Sequence, residues 1–159
     1  MTSRVETVAG TILYITATTP VAFSQAGYEA SLMDGAWAAI GEITDGGEHG
    51  REYALVTHMP IATRGVQKYK GSFSEGSKTV QLALDNDDAG QVIAQAALVS
   101  DNDYSFKVAY QGGDVDYFQA KVMSMKKAAT SVDSIRSATM TLELTTNSAG
   151  VGIISTVAP

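Results

Sequence analysis

The chain predicts a mainly β domain: an antiparallel two-sheet β-sandwich or open barrel flanked by one α-helix at about residues 87–99. Three observations carry that expectation. Apolar and polar residues alternate with a period of two over several short runs, turns rich in glycine or aspartate separate those runs, and one stretch alone switches to a helical period.

The clearest alternation begins at residues 77–84, where Val80, Leu82 and Leu84 share one face and Thr79, Gln81 and Ala83 the other. Asp85, Asn86, Asp87 and Asp88 stop that strand. Asp85 or Asn86 is the expected helix N-cap, with Asp87 and Asp88 in the first turn, where the helix dipole favours negative charge. Ala89, Val92, Ile93, Ala96 and Ala97 then fall on one side, with Asp88, Gln91 and Gln95 on the other. The period returns to two over residues 104–111, before a Gly112-Gly113-Asp114 hairpin turn.

Earlier in the chain, residues 8–16 read as a strand rich in β-branched side chains, and residues 20–35 show no lasting period and stay unassigned. Residues 36–43 form a further strand, with Trp37, the one tryptophan, as a buried anchor. Thr44, Asp45, Gly46, Gly47, Glu48, His49, Gly50 and Arg51 follow as an exposed turn or flexible hairpin tip. Residues 52–59 and 66–73 are strands around a long connection containing Pro60 and Arg64. Residues 115–126 make a long strand. The last clear one sets Ala138, Met140, Leu142 and Leu144 against Ser137, Thr139, Thr141, Glu143 and Thr145.

At 159 residues and 45% apolar content the chain fits a single domain, 1–159, with a flexible N-terminal arm (1–7) and C-terminal tail (147–159). There is no run long enough to span a bilayer and no basic segment leading an apolar core, so neither membrane insertion nor a secretory signal is expected. The absence of cysteine removes disulfides, thiolate zinc and cysteine nucleophiles. His49 and His58 lack partners at metal-ligand or triad spacing, so no enzyme, metal or cofactor is expected; His49 reads as a solvated loop residue and His58 as an ordinary strand-face residue. A net charge of −6 opposes conventional nucleic-acid binding.

Several pieces, in this order, resemble one known family. They are residues 37–43 followed by an acidic glycine loop, Lys70-Gly71-Ser72 ahead of a strand, and Asp87-Asp88-Ala89-Gly90-Gln91 opening the helix. Residues 104–108 before a glycine turn, residues 118–122, and residues 131–135 ahead of a hydroxyl-rich closing strand complete the set. Together they resemble the major tail tube proteins of long-tailed bacteriophages with non-contractile tails. The likeness runs from about residue 18 to residue 144.

That resemblance implies a structural subunit forming homo-hexameric rings, stacked into a helical tube through which double-stranded DNA leaves without being held. It further implies a tape measure protein and tail-end proteins as partners, assembly in the bacterial host cytoplasm and a final place in the virion; because the sequence ends soon after the last strand, the extra immunoglobulin-like domain that some relatives carry is not expected. In such a tube Ser137, Thr139, Thr141, Glu143 and Thr145 are the expected channel-facing row. Residues 44–51, with Pro60 and Arg64 of the following connection, are the expected ring-stacking loops. Two other readings stay open. One is the tube of a contractile injection or type VI-like system; the other is a monomeric barrel holding a small ligand between Trp37, Tyr104, Phe106 and Tyr110.

Overall fold

The computed structural model describes residues 4–158, so Met1, Thr2 and Ser3 of the expected N-terminal arm lie outside the described residues, as does Pro159. In chain order the elements are β1 (Ile12–Thr16), α1 (Gln25–Tyr28), β2 (Ala38–Ile40), β3 (Ile43–Asp45), β4 (Glu52–His58) and β5 (Gln67–Ser74). They continue with β6 (Ser77–Ala83), α2 (Ala89–Leu98), β7 (Tyr104–Ala109), β8 (Val115–Ala128), β9 (Ser137–Thr145) and β10 (Ile154–Thr156). The architecture is mainly β and antiparallel with one substantial helix, as the alternation predicts.

One sheet runs β2-β1-β7-β8-β9-β6-β3, every neighbouring pair antiparallel. Its two outermost strands, β2 and β3, are separated in sequence by Gly41 and Glu42 alone. A single bent strand therefore pairs with β1 through its first half and with β6 through its second, which curls the sheet into a barrel. Glu42 makes the bend with φ 61°. The strand expected at residues 36–43 thus reaches Asp45 and serves both edges.

The inward rows fill the barrel. Phe106 and Phe118, opposite each other across β7 and β8, stack at 5.5 Å with 9° between their planes. Ile15, Val80, Leu82, Met140 and Leu142 are completely buried around them, each worth roughly 1.5–3 kcal/mol of transfer free energy. On the outward face of β7 and β8, the stretch left unassigned from sequence packs a second small core. Tyr28 stacks on Tyr117 at 4.9 Å, Met33 is fully buried, and the Trp37 ring lies 6.1 Å from Tyr117.

Helix α2 connects β6 to β7 and packs against β1, β2 and β8 at one end of the barrel, adding Ala94 and Ala97 to the interior. Gly90 permits the approach, because a Cβ there would sit 2.2 Å from the Ala39 carbonyl oxygen. The N-cap is Asp88, not Asp85 or Asn86: its Oδ2 accepts from Gln91 N at 3.0 Å and from Gly41 N at 3.1 Å. Asp85 instead shapes the preceding turn, accepting from Asp87 N at 3.0 Å. The buried face is also rotated from the expected one, since Val92 is half exposed while Gln91 is fully buried. Gln91 earns its burial by saturating its amide: Nε2 donates to the carbonyls of Gly41 (3.0 Å) and Ala83 (2.9 Å), and Oε1 accepts from Asp85 N (3.0 Å).

The opposite end is closed by the chain after β3, which is exposed as expected at every position of 44–51 except His49 and is attached to the barrel at Gly47 and His49. Gly47, at φ 65°, crosses so close to β6 that a Cβ would lie 2.0 Å from the Thr79 carbonyl oxygen. His49 then turns inward over Phe118, ring centroids 5.6 Å apart, with its Nε2 2.8 Å from Asp116 Oδ2 and its Nδ1 3.1 Å from Lys78 Nζ. A proton on Nε2 facing the carboxylate leaves Nδ1 to accept from the ammonium, so both contacts fit one neutral tautomer. Tyr110 also donates to Asp116 Oδ2 at 2.8 Å. Burial pushes the Asp116 carboxyl up, but hydrogen bonds from His49, Ser155 and Tyr110 outweigh it and hold the group below its ordinary value. Burial pulls the Lys78 ammonium down, opposed by Asp116 and Asp45.

The tail beyond β9 is docked as well. β9 reaches only as far as Thr145, opposite Gln119, so the start of β8 has a free edge, and β10 pairs there with residues 115–117. Thr156 Oγ1 donates to the Val115 carbonyl at 3.1 Å and Ala158 N to Asp114 Oδ1 at 2.8 Å. Within the C-terminal tail expected at 147–159, Ile154–Thr156 is thus an edge strand on β8.

Two outcomes follow from these networks. Gln91→Leu strands two carbonyls and one N–H, and should cost about 2–4 kcal/mol in urea denaturation with an unchanged m-value. Asp116→Asn should cost about 1–3 kcal/mol at neutral pH. Because folding lowers the pKa of Asp116, its contribution is present above the ordinary 3.8 and is lost as pH falls through the lower folded value. Melting curves of the two proteins should accordingly converge in acid.

Candidate functional site

β4 and β5 pair only with each other, Glu52 opposite Ser74 through to His58 opposite Gln67. All seven residues of β4 are exposed, and in β5 only Gly71 is partly covered. A two-stranded hairpin with no buried face is marginal by itself in water. Its base is held from the barrel: Arg51 bonds the buried Glu75 at 2.7 Å and lays its guanidinium 4.0 Å over Phe73, while Tyr53 and Phe73 pack at 5.6 Å and Lys70 sits 4.7 Å over Tyr53.

Beyond that base the hairpin carries Leu55, Val56, Met59, Ile61, Val66 and Tyr69, all exposed. A two-stranded arm carrying six large exposed apolar side chains is a candidate contact with another molecule. The sequence held a signal for it: Leu55 and Val56 are adjacent, so β4 presents apolar side chains on both faces, which a half-buried strand does not do.

The stacking candidates separate into two groups. Arg64 is exposed and Pro60 half-buried in the connection at the hairpin tip. Thr44 and Asp45 finish β3; Thr44 Oγ1 donates to the Gln81 carbonyl at 3.3 Å, and Asp45 Oδ1 accepts from Gly47 N at 2.8 Å. Gly46, Glu48 and Gly50 are exposed, Gly47 and His49 are pinned to the barrel end, and Arg51 anchors the hairpin. His58 is exposed on β4.

The hydroxyl row forms one continuous face. Ser137, Thr139, Thr141 and Thr145 are half-buried and Glu143 is exposed, alternating with the buried core row of β9. Strand pairing widens the face: Thr79, Thr141 and Ser124 lie side by side, as do Gln81, Thr139 and Lys126, and Ser77, Glu143 and Lys121. The face is thus hydroxyl-rich but not free of cations. Lys121 is ion-paired with Asp103 and stands opposite Glu143, while Lys126 is exposed.

The aromatic pocket does not form. Phe106 is buried in the barrel and Trp37 packs outside it against Tyr117, on opposite faces of the sheet. A cavity of about 340 Å³ beside His49 and Lys78 is lined by Tyr110 alone of the four. Among the described residues no group of three or more histidines and carboxylates is placed to hold a metal ion.

Several solved structures share this fold. The SPP1 tail tube has 15% identity, covers 96% of this chain and 80% of that chain, and superposes with a TM-score of 0.64. The sheath/tube terminator of PVC, an extracellular contractile injection system, has 9% identity, covers 99% of this chain and 100% of that chain, and gives 0.63. The PVC sheath-tube complex gives 0.60 at 10% identity over 98% and 93%. At these identities the likeness establishes the fold alone. No curated protein sequence matches the chain. A family profile described as lambda phage tail tube protein, however, matches residues 22–150 in sequence, spanning α1, the bent strand, the exposed hairpin, α2 and the hydroxyl row. The chain therefore belongs to the lambda phage tail tube protein family.

Proposed function

We propose that this tail tube protein assembles as six-membered rings stacked into a hollow tube for the passage of double-stranded DNA, acting without catalysis, with the β4–β5 hairpin bridging one ring to the next. The observation that carries this reading is the hairpin itself, an ordered two-stranded arm with apolar side chains on both faces and no core beneath it. In the assembled tube its tip, with Pro60 and Arg64, makes the stacking contact. Residues 44–51 act at its root, where Arg51 and His49 hold the arm at a defined angle. Assembly in the host cytoplasm, a final place in the virion tail, and partnership with a tape measure protein and tail-end proteins belong to the same reading.

The β6–β9–β8 face, with Ser137, Thr139, Thr141, Glu143 and Thr145, lines the channel. Hydroxyls hydrate a passing duplex without gripping it, whereas each cation on the wall adds counterion-release affinity for phosphate. The Asp103 and Glu143 carboxylates beside Lys121 offset one such cation. Six copies at −6 place −36 around the channel, which keeps the whole tube repulsive to DNA.

Replacing residues 60–64 by a short glycine linker should leave folded, soluble subunits that form no tubes in electron micrographs. Tubes of normal length would refute the bridging role. Thr141→Lys should leave tubes intact but slow DNA release, most at low salt; release at the normal rate would remove this face from the channel.

A further inference from the structure

The hairpin and α2 lie at opposite ends of the barrel. β5 ends at Ser74, directly before β6 begins, and α2 starts just after β6 finishes at Ala83. The seven residues of β6 separate the two, a span of about 23 Å. A subunit with different surfaces at its two ends makes head-to-tail contacts, and these continue from copy to copy.

The two ends are chemically matched. Arg64, Lys68 and Lys70 against Glu52 give residues 52–74 a charge of +2, leaving −8 on the rest of a chain whose total is −6. Val92 on α2 and Val99 at its C-cap are 50% and 86% exposed, and exposed Ala96 lies between them on the same helical side. Acids bracket that stripe, with exposed Asp85 and Asp87 before the helix and exposed Asp101 after it. Helical rise puts Asp87 and Asp101 about 20 Å apart. An extended chain from Arg64 to Lys70 covers about 20 Å as well.

We infer that the outer face of α2 is the receptor for the β4–β5 hairpin of a second copy, with Ile61, Met59 and Val66 over the Val92–Val99 stripe and the hairpin cations against the acids at the two helix ends. This rests on the ring-bridging role of the hairpin proposed above and names its partner surface. Val92 and Val99, costly to expose on an isolated subunit, become buried in the stack. Charge fixes the direction of docking, since a hairpin cannot dock on another basic hairpin without like-charge repulsion.

The cysteine-free chain allows an unambiguous test. In tubes carrying both Ile61→Cys and Val99→Cys, mild oxidation should give disulfide-linked ladders of subunits, and none with either change alone. Asp87→Lys with Asp101→Lys should raise the concentration needed for assembly by about tenfold or more while the melting curve stays close to the parent. Adding Arg64→Glu and Lys70→Glu, the two cations whose spacing matches the two acids, should restore assembly. If the double cysteine protein forms tubes without ladders, or the aspartate reversals assemble at the parental concentration, α2 is not the receptor; the hairpin's bridging role then stands or falls separately on the tip replacement. The exposed positions chosen touch no core residue, so a failure to fold would itself contradict the surface placement on which the inference depends.

Discussion

The structure depends on one junction, where the strand running from β2 into β3 changes partners at Gly41 and Glu42. If that strand paired along its whole length with β1, the β6 edge would stay open; if with β6, the β1 edge would. The change of partner is held from the start of α2. Asp88 accepts from Gly41 N, and Gln91 bonds the Gly41 and Ala83 carbonyls, so the bend, the end of β6 and the first turn of the helix share one hydrogen-bond network. Backbone groups freed by the bend are thereby satisfied at a half-buried junction around the fully buried Gln91 side chain, where an unpaired buried group would cost about 1–3 kcal/mol. Barrel closure and helix placement are a single event.

Closure has a consequence for assembly. A barrel whose edges share one strand has little unpaired backbone to offer a neighbour. Association must then use what is attached to the barrel, and the chain spends 23 residues, 52–74, on an arm that adds nothing to the core. The His49, Lys78 and Asp116 cluster, with Arg51 and Glu75 beside it, sits at the root of that arm. A buried, hydrogen-bonded polar cluster gains little net stability but permits one geometry. One geometry is what a repeating polymer needs at each joint, since a small angular error repeats at every copy.

The outward face is divided between two uses. Residues 21–37 cover β7 and the start of β8 with the Tyr28, Met33 and Tyr117 core, and β6, β9 and the rest of β8 are left with hydroxyls, amides and two lysines. That bare half faces solvent in the subunit, and the proposed channel would keep it hydrated in the tube.

Much was legible in the sequence because it depends on local period and local turn chemistry. The alternation in β6, β7 and β9, the helix after the aspartates, the Gly112-Gly113 turn and the hydroxyl row all follow from residues near one another in the chain. The order of those pieces was enough to indicate the family. Tertiary structure alone decided what depends on meetings across the chain. Asp88 displaced Asp85 and Asn86 as N-cap because Gly41 needed an acceptor, and Gln91 went inside because three backbone groups converged there. His49 became a barrel plug because Lys78 and Asp116, 29 and 67 residues away, present a donor and an acceptor to one ring. Periodicity records which face of an element avoids water; it does not record which distant backbone or carboxylate that face will meet.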